Sequence, residues 1–353
     1  MSWLSDRALD RLRAAADEPD LSGTRYRLVE RLGAGGMGTV YLATDTALDR
    51  RIALKVLRLP DSSGGLAARL LREAKILAQL EHPGIVPVHD VGTLPDGRVF
   101  YTMKYVEGPR LDRWATGATS LPERLRIFER ICDAAAFAHD RGVVHRDLKP
   151  ENVMVGPFGE VLVMDWGVAK ILSAVASRQA LREAADAEAV TVAGPQLRTA
   201  SAEQTGHGMV LGTPGYMAPE QARGESAQVD ARADVFALGA ILRFLLTGHA
   251  PPEATTLGTG GETARAPSAS GSMPRALAAI CAKAMAADPA ARYPTAKELG
   301  AEVARYRDGL PVEAHRESLA ERAARLFARH KVAILLVVAY LVMRVALIVW
   351  TRR

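Results

Sequence analysis

The alternation of apolar and polar positions splits the chain into a β-rich part and a helical part. From Tyr26, the run YRLVERLGAGGMGTVYLATD gives two β-rich stretches joined by glycines, and RIALKVLRL at 51–59 reads as a third strand. GGLAARLLREAKILAQL at 64–80 has apolar residues at helical spacing, and His82-Pro83-Gly84 ends it. IVPVHDVGTLPDGRVFYTMKYVEG at 85–108 predicts two strands around a Pro-Asp-Gly turn. Beyond Gly108 the period changes to that of helices. LPERLRIFERICDAAAFAHDRG at 121–142 is a long amphipathic helix, and ARADVFALGAILRFLLTG at 231–248 is apolar nearly all round, which predicts burial. Two more helices are expected at 275–287 and 295–307, and a short amphipathic one at 3–16. The stretches 172–209 and 248–272 carry few order signals, and no internal repeat is visible.

Composition changes this picture little. With 353 residues, 48% hydrophobic and 24% charged, the chain can bury a large core, and a net charge of +5 is only mildly basic. No nucleic-acid partner is expected. Cys132 and Cys281 stand in helix-like apolar contexts and are expected to be reduced core residues of a cytosolic domain. The N-terminus has scattered charges and no apolar core, so it does not read as a secretory signal.

Three local patterns carry candidate chemistry. GAGGMGTV places Gly33, Gly35 and Gly38 before Val40. A dinucleotide-binding turn would be followed by a helix, but TVYLAT is strand. This leaves either a structural hairpin or a glycine hairpin whose bare N–H groups cover phosphates. In IALKV, alternation turns Ala53 and Lys55 to one face. A lysine in an apolar strand is more often a solvated edge residue and becomes informative only with a partner, for which Glu73 is the candidate. In VVHRDLKPENVMV at 143–155, Asp147 stands between Arg146 and Lys149, with Asn152 beyond, on a short loop between two strand-like runs.

That loop resembles the catalytic loop of protein kinases, H-R-D-x-K-x-x-N, and MDWG at 164–167 is similar to D-F-G. The resemblance runs from about Tyr26 to Tyr306 with the motifs in the family's order. It is closest to bacterial eukaryotic-like Ser/Thr kinases, through GTPGYMAPEQARG and DVFALGAIL. It implies an α+β bilobal fold, with a β-rich N-lobe carrying one helix over 25–107 and a mostly helical C-lobe over 108–310. An extension at 1–24 precedes these lobes, and a long activation segment lies at 165–220. The implied activity is transfer of the γ-phosphate of ATP, with Mg2+, to Ser/Thr hydroxyls of protein substrates, including its own. A second copy of the chain is then a partner for trans-autophosphorylation.

The resemblance also implies roles residue by residue. Asp147 would accept the substrate proton, Lys149 would neutralise the γ-phosphate, and Asn152 and Asp165 would hold Mg2+. Lys55 would bind the α- and β-phosphates and pair with Glu73. Leu32, Gly33, Ala34, Gly35, Gly36, Gly38 and Val40 would cover the nucleotide, with Ala53 on the same side. Met103 corresponds to the gatekeeper, and the backbone of Lys104 and Val106 would meet adenine. Arg146 would bind a phosphorylated activation segment, for which Thr205 is the preferred site over Thr199 and Ser201, while the Thr213 hydroxyl would bond within the catalytic loop. Glu220 would pair with Arg292, and Asp234 would anchor the catalytic loop from the buried helix. The rivals are a membrane-tethered pseudokinase scaffold and a small-molecule kinase. Retention of all five catalytic residues argues against the first and GTPGYMAPE against the second.

This sequence departs from the family pattern in places. Trp166 replaces the usual Phe and brings an N–H that needs a partner. Lys104 stands where an acid is common. The segment 168–217 is longer than usual, through SAVASRQALREAADAEAV at 173–190, and 248–272 replaces a helix often used in substrate docking.

The C-terminal run VAILLVVAYLVMRVALIVW, 332–350, has one charge in nineteen residues, near the length that spans a bilayer. Its twelve Leu, Ile and Val residues contribute about −4 to −7 kcal/mol, against up to about +3.5 kcal/mol for Arg344, which could snorkel toward the nearer end. Arg322, Arg325, Arg329 and Lys331 crowd the preceding flank, in a basic juxtamembrane helix expected over 311–331 with Leu319, Ala323, Leu326 and His330 on one face. The expectation is a single-pass membrane protein with its catalytic part in the cytoplasm. The alternative is a buried interface helix. No sensor is expected after TRR, so the signal would arrive through a partner, the membrane or the activation segment.

Overall fold

The computed structural model describes residues 18–35, 38–56, 75, 78–117, 119–166, 215–223, 229–251, 273–318, 321–322, 335–345, 347 and 350. The sequence expectations for 3–16, Gly36, most of the helix at 64–80 with Glu73, the stripe from Leu319 to His330, Thr199, Ser201, Thr205 and Thr213 lie outside these residues.

The alternating runs form one antiparallel sheet of β1 (Tyr26–Gly35), β2 (Gly38–Asp45), β3 (Arg50–Val56), β4 (Val88–Thr93) and β5 (Val99–Lys104), in the order β1-β2-β3-β5-β4. Both faces of β3 are covered. Ile52, Leu54 and Val56 join Tyr26, Tyr41 and Phe100 in one apolar cluster, while Ala53 belongs to the main core below the sheet. Lys55 shares the Ala53 side, as alternation predicts.

The second lobe is helical. α1 (Leu111–Trp114) is followed by α2 (Leu121–Asp140), and a 3-10 turn at Pro150–Asn152 leads into the hairpin β6 (Val153–Val155) and β7 (Val161–Val163). Then come α3 (Pro219–Ala222), α4 (Ala231–Thr247), α5 (Arg275–Ala284) and α6 (Ala296–Arg307). Side chains cap three of these helices. Ser120 Oγ accepts from the Glu123 N–H at 3.4 Å, Asp230 Oδ1 from the Arg232 N–H at 2.7 Å, and Thr295 Oγ1 from the Glu298 N–H at 3.1 Å. α4 is buried without interruption from Ala233 to Leu242 and packs against α2, α5 and α6. Gly239 permits its approach to α5, since a Cβ there would come within 2.7 Å of Ala284 Cβ. Both cysteines are free and buried in this core. The sheet-plus-helical division is the bilobal arrangement the sequence predicted.

The structure differs from the expectations in three respects. α1 and α3 are too short for a periodic signal. The helix expected to 287 ends at Ala284, with Met285 leaving helical geometry as its C-cap, and a 3-10 turn at Pro289–Ala291 follows. Val143 and Val144 are buried but belong to no strand, so only β6 flanks the catalytic loop as one. Among the described residues no helix is long and apolar enough to cross a membrane. Of the run 332–350, residues 335–345 are helical, and their large apolar side chains are exposed.

Candidate active site

A cavity of about 680 Å³ opens between the sheet and the helical lobe. Its roof is the β1–β2 hairpin, where Gly33 pairs with Val40, Ala34 with Thr39 and Gly35 with Gly38. Leu32, Gly33, Ala34, Gly38 and Val40 line it, as do Ala53, Lys55, Met103, Lys104 and Val106. Gly35 closes the hairpin without lining the cavity. Along its back edge the Lys104 N–H is spent on the Pro87 carbonyl at 3.1 Å, so only the Lys104 carbonyl is left for a ligand. No described residue accepts from the Val106 N–H. The edge then turns at Gly108, whose φ of +150° and absent Cβ are both required: a Cβ would fall 2.2 Å from the Val155 carbonyl oxygen.

The floor carries the charged groups. Asp147, Lys149, Asn152 and Asp165 all line the same cavity as Lys55. Lys149 Nζ lies 2.9 Å from Asp147 Oδ2, and Lys55 Nζ lies 3.7 Å from Asp165 Oδ1. Lys55 is only 7% exposed, and its ammonium stands 5.6 Å from the centre of the Tyr101 ring. The Asn152 amide nitrogen donates to the Asp147 carbonyl at 2.8 Å and to Asp147 Oδ2 at 3.2 Å. That spends the amide hydrogens and leaves the Asn152 Oδ1 as an acceptor. Asp165 adopts φ of +55°, a left-handed conformation that Asp tolerates better than most residues, at a cost of about 1–3 kcal/mol.

Two buried groups hold this loop from behind. Asp234 of α4 accepts from the His145 N–H at 2.7 Å and the Arg146 N–H at 2.8 Å, and its Oδ2 lies 2.8 Å from His139 Nε2. Burial works to raise the Asp234 carboxyl, but the His139 hydrogen bond, the electrostatic attraction of the His139 and His145 rings and the Arg146 N–H outweigh it, so its pKa is lowered. These bonds stabilise Arg146 at φ of +67°. His145 is the second anchor. Its Nδ1 accepts from the Asp147 N–H at 3.3 Å and its Nε2 lies 2.8 Å from the Met164 carbonyl, which assigns the proton to Nε2. Trp166 lies fully buried on the His145 ring, centroids 4.7 Å apart, and its Nε1–H donates to the Val163 carbonyl at 3.2 Å. The larger aromatic therefore has its polar partner, and it braces the histidine that orients Asp147.

Glu220 and Arg292 form the expected pair, bidentate at 2.7 and 2.8 Å and buried, and the Arg292 guanidinium also donates to the carbonyls of Ala286, Ala287 and Arg232. Gln221 donates to the Arg146 carbonyl at 3.0 Å, tying α3 to the catalytic loop. The Arg146 guanidinium donates to the Val229 carbonyl at 3.2 Å, while its buried Nε has no partner among the described residues. Burial pulls its pKa down, and the Asp234 charge offsets this only in part.

The sequence reading missed several lining residues. Met154 and Met164 lie on the floor, Val86 lines the cavity too, and Arg110 and Arg113 stand at the start of α1. Met154 and Met164 stand beside the motif residues without a role of their own in them, Val86, Arg110 and Arg113 belong to no motif, and only the fold brings these five to the cavity.

The Protein kinase domain family matches residues 26–299, so the chain belongs to the protein kinase family. Its relatives include the serine/threonine-protein kinase PknD of Chlamydia muridarum, 38% identical over 299 residues, which cover 78% of this chain and 31% of that protein. PknD of Chlamydia trachomatis serovar D is 39% identical over 309 residues, covering 81% and 32%. The chain thus spans about a third of the length of these curated relatives. Among solved structures, the PknI kinase domain of Mycobacterium tuberculosis matches with a TM-score of 0.55 and 27% identity, covering 81% of this chain and 96% of that one.

The lowered carboxyl of Asp234 makes a prediction about acid stability. Because its folded pKa lies below the unfolded value near 3.8, its contribution is fully present above pH 3.8 and is lost as pH falls through the folded value. Asp234→Asn should lower the unfolding free energy at neutral pH by on the order of 3 kcal/mol, as removal of one partner from a buried charged network does. Urea unfolding between neutral and acidic pH should show the gap narrowing only below pH 3.8.

Proposed function

We propose that the chain is an ATP- and Mg2+-dependent Ser/Thr protein kinase. The observation that carries this is the convergence of Lys55, Asp147, Lys149, Asn152 and Asp165 on one cavity beneath a glycine hairpin. The donor set fits the ion. Mg2+ is usually held by one or two carboxylates together with substrate phosphates and water, and the Asp165 carboxylate and the Asn152 Oδ1 supply hard oxygens without an all-protein cage. When bound, the ion would neutralise phosphate charge. The hinge edge fits a purine through the Lys104 carbonyl and the Val106 N–H.

Asp147 accepts the proton of a Ser or Thr hydroxyl as its oxygen bonds to the γ-phosphorus and the bond to the β-phosphate oxygen breaks, with ADP leaving. Lys149, 2.9 Å from Asp147 Oδ2, stands ready for the γ-phosphate. Lys55 neutralises the α- and β-phosphates. Its pairing with Glu73 belongs to the same proposal. Protein substrates are supported by the names of the bacterial relatives and by the 215–223 platform, which Glu220–Arg292 and Gln221 fix beside the catalytic loop.

Regulation centres on Arg146. A half-buried guanidinium whose Nε has no partner among the described residues, and whose pKa is lowered by desolvation, is stabilised when a dianionic phosphate arrives. Phosphorylated Thr205 is the proposed donor of that charge, placed by a second copy of the chain. Attachment to the cell membrane through 332–350, with the catalytic part in the cytoplasm, is proposed on the apolar composition of that run and on its exposed helical side chains, such as Leu336 at 66% and Trp350 at 76%.

Three outcomes are expected. Asp147→Asn should leave ATP affinity nearly intact while lowering turnover at least a hundredfold, the low end for loss of a general base, whereas Asp165→Ala should weaken Mg2+-ATP binding itself. Equal γ-phosphate transfer by wild type and Asp147→Asn would sink the kinase reading. Thr205→Ala should lower activity, and Arg146→Ala should add little to it in a double-mutant cycle; additive losses would remove the switch. Deleting 332–353 should release an active kinase from the membrane fraction, and full-length chain found soluble without detergent would refute the span.

A further inference from the structure

Two cations at the mouth of the cavity are left unused by the phosphoryl-transfer chemistry. Arg110 and Arg113 both line it, and both side chains are exposed. Arg110 is the N-cap of α1 in extended conformation and forms a bridge with Met154 of β6, and Arg113 lies one turn further on. Among the described residues neither guanidinium has an ion-pair partner within 4.0 Å.

Each neighbouring acid is either paired or turned elsewhere. Glu107 pairs with Arg51 at 3.5 Å. Asp112, between the two arginines in sequence, and Glu151 of the 3-10 turn both act on Tyr216, whose phenol is pushed up by burial first and by these two carboxylates second. The arginines line the cavity, whereas neither Asp112 nor Glu151 does. Asp147 and Asp165 are closer to the lysines of the floor.

The position of α1 gives these charges a function. It packs against Pro150–Asn152 and β6, directly after the catalytic Asp147 and Lys149. Gln221 of α3 binds the Arg146 carbonyl. A polypeptide that delivers a hydroxyl to Asp147 must reach the cavity that Asp147 shares with the two guanidinia, and so brings a flank near them.

We infer that Arg110 and Arg113 are specificity-determining residues that select protein substrates with an anionic side chain, carboxylate or phosphate, on the flank that passes α1. This rests on the proposed kinase activity and names its substrate class. The two arginines act by attraction to acids and by repulsion of basic segments, and the second contribution makes the preference sharper than either contact alone. An exposed guanidinium–carboxylate pair is screened by water, so each arginine contributes about 1.4-fold to fivefold in affinity. A phosphate, with its greater charge and bidentate geometry, gains more.

The test uses the full-length chain in detergent micelles, with Mg2+-ATP and a set of Ser/Thr peptides. Each peptide carries a single Asp, Glu, phosphoserine or Arg at one position before or after the acceptor. On one flank, acidic and phosphoserine peptides should lower the peptide KM and Arg peptides should raise it. The double variant Arg110→Glu/Arg113→Glu should reverse this order, with the largest change in KM rather than kcat. The ratio of the Glu and phosphoserine effects distinguishes the two sources of negative charge. Equal KM values across all peptides, an acidic preference that survives the double variant, or a change confined to the ATP KM would each overturn the inference; the last would assign the arginines to the nucleotide. Peptide binding read by fluorescence anisotropy with a non-hydrolysable ATP analogue does not need turnover. An absence of acidic preference there overturns the inference, whereas absent transfer to every peptide, with the binding preference intact, overturns the kinase reading instead.

Discussion

One buried carboxylate holds the site together. Asp234 lies in the middle of the core on α4, the most completely buried helix, and the charge it keeps there is costly unless every lone pair is occupied. It is occupied by His139 from α2 and by the His145 and Arg146 backbone N–H groups. That accounting forces the catalytic loop over the end of α4 and forces Arg146 into a left-handed conformation. With Arg146 fixed, Asp147 is presented to the cavity one residue later. The position of the proposed base thus follows from satisfying a charge behind it.

The rest of the loop is built outward from that anchor in layers of decreasing burial. His145 and Trp166 form an aromatic pair sealed from water, and the histidine carries the orientation on to the Asp147 N–H. Asn152 crosses back to the same aspartate with both amide bonds, which leaves its carbonyl oxygen toward the cavity. Asp147, Lys149 and Asp165, the groups that meet substrate, phosphate and metal in the proposed chemistry, are left partly in solvent. Rigid groups lie behind and adjustable ones in front, which suits a site that must position a nucleotide and then release it.

The same principle separates the two proposals about recognition. Arg146 is half-buried and under-partnered, so an anion that reaches it changes the stability of the catalytic loop itself. Arg110 and Arg113 are exposed at the mouth, so an anion that reaches them changes only how a peptide is held. Burial therefore decides which arginine acts as a switch and which acts as a filter.

The sequence by itself determined the strands, the long helices and the identity of the charged residues. A strand alternates with period two, and α2 and α4 carry enough apolar residues in register to be legible without context. The HRDLKPEN and MDWG runs were readable for a different reason, since several chemically demanding residues occur there at fixed short spacing. The pairings of Asp234 with the loop and of Glu220 with Arg292 were foreseeable from the family resemblance, but not from periodicity. Only the tertiary structure decided that Trp166 has a partner for its N–H, that Gly108 must lack a Cβ, and that Arg110 and Arg113 stand at the cavity mouth. It also set the end of α5 and left Val143 and Val144 outside any strand. These outcomes depend on contacts between residues far apart in the chain, and a local pattern of hydrophobicity carries no record of which distant backbone carbonyl or cavity a side chain will meet.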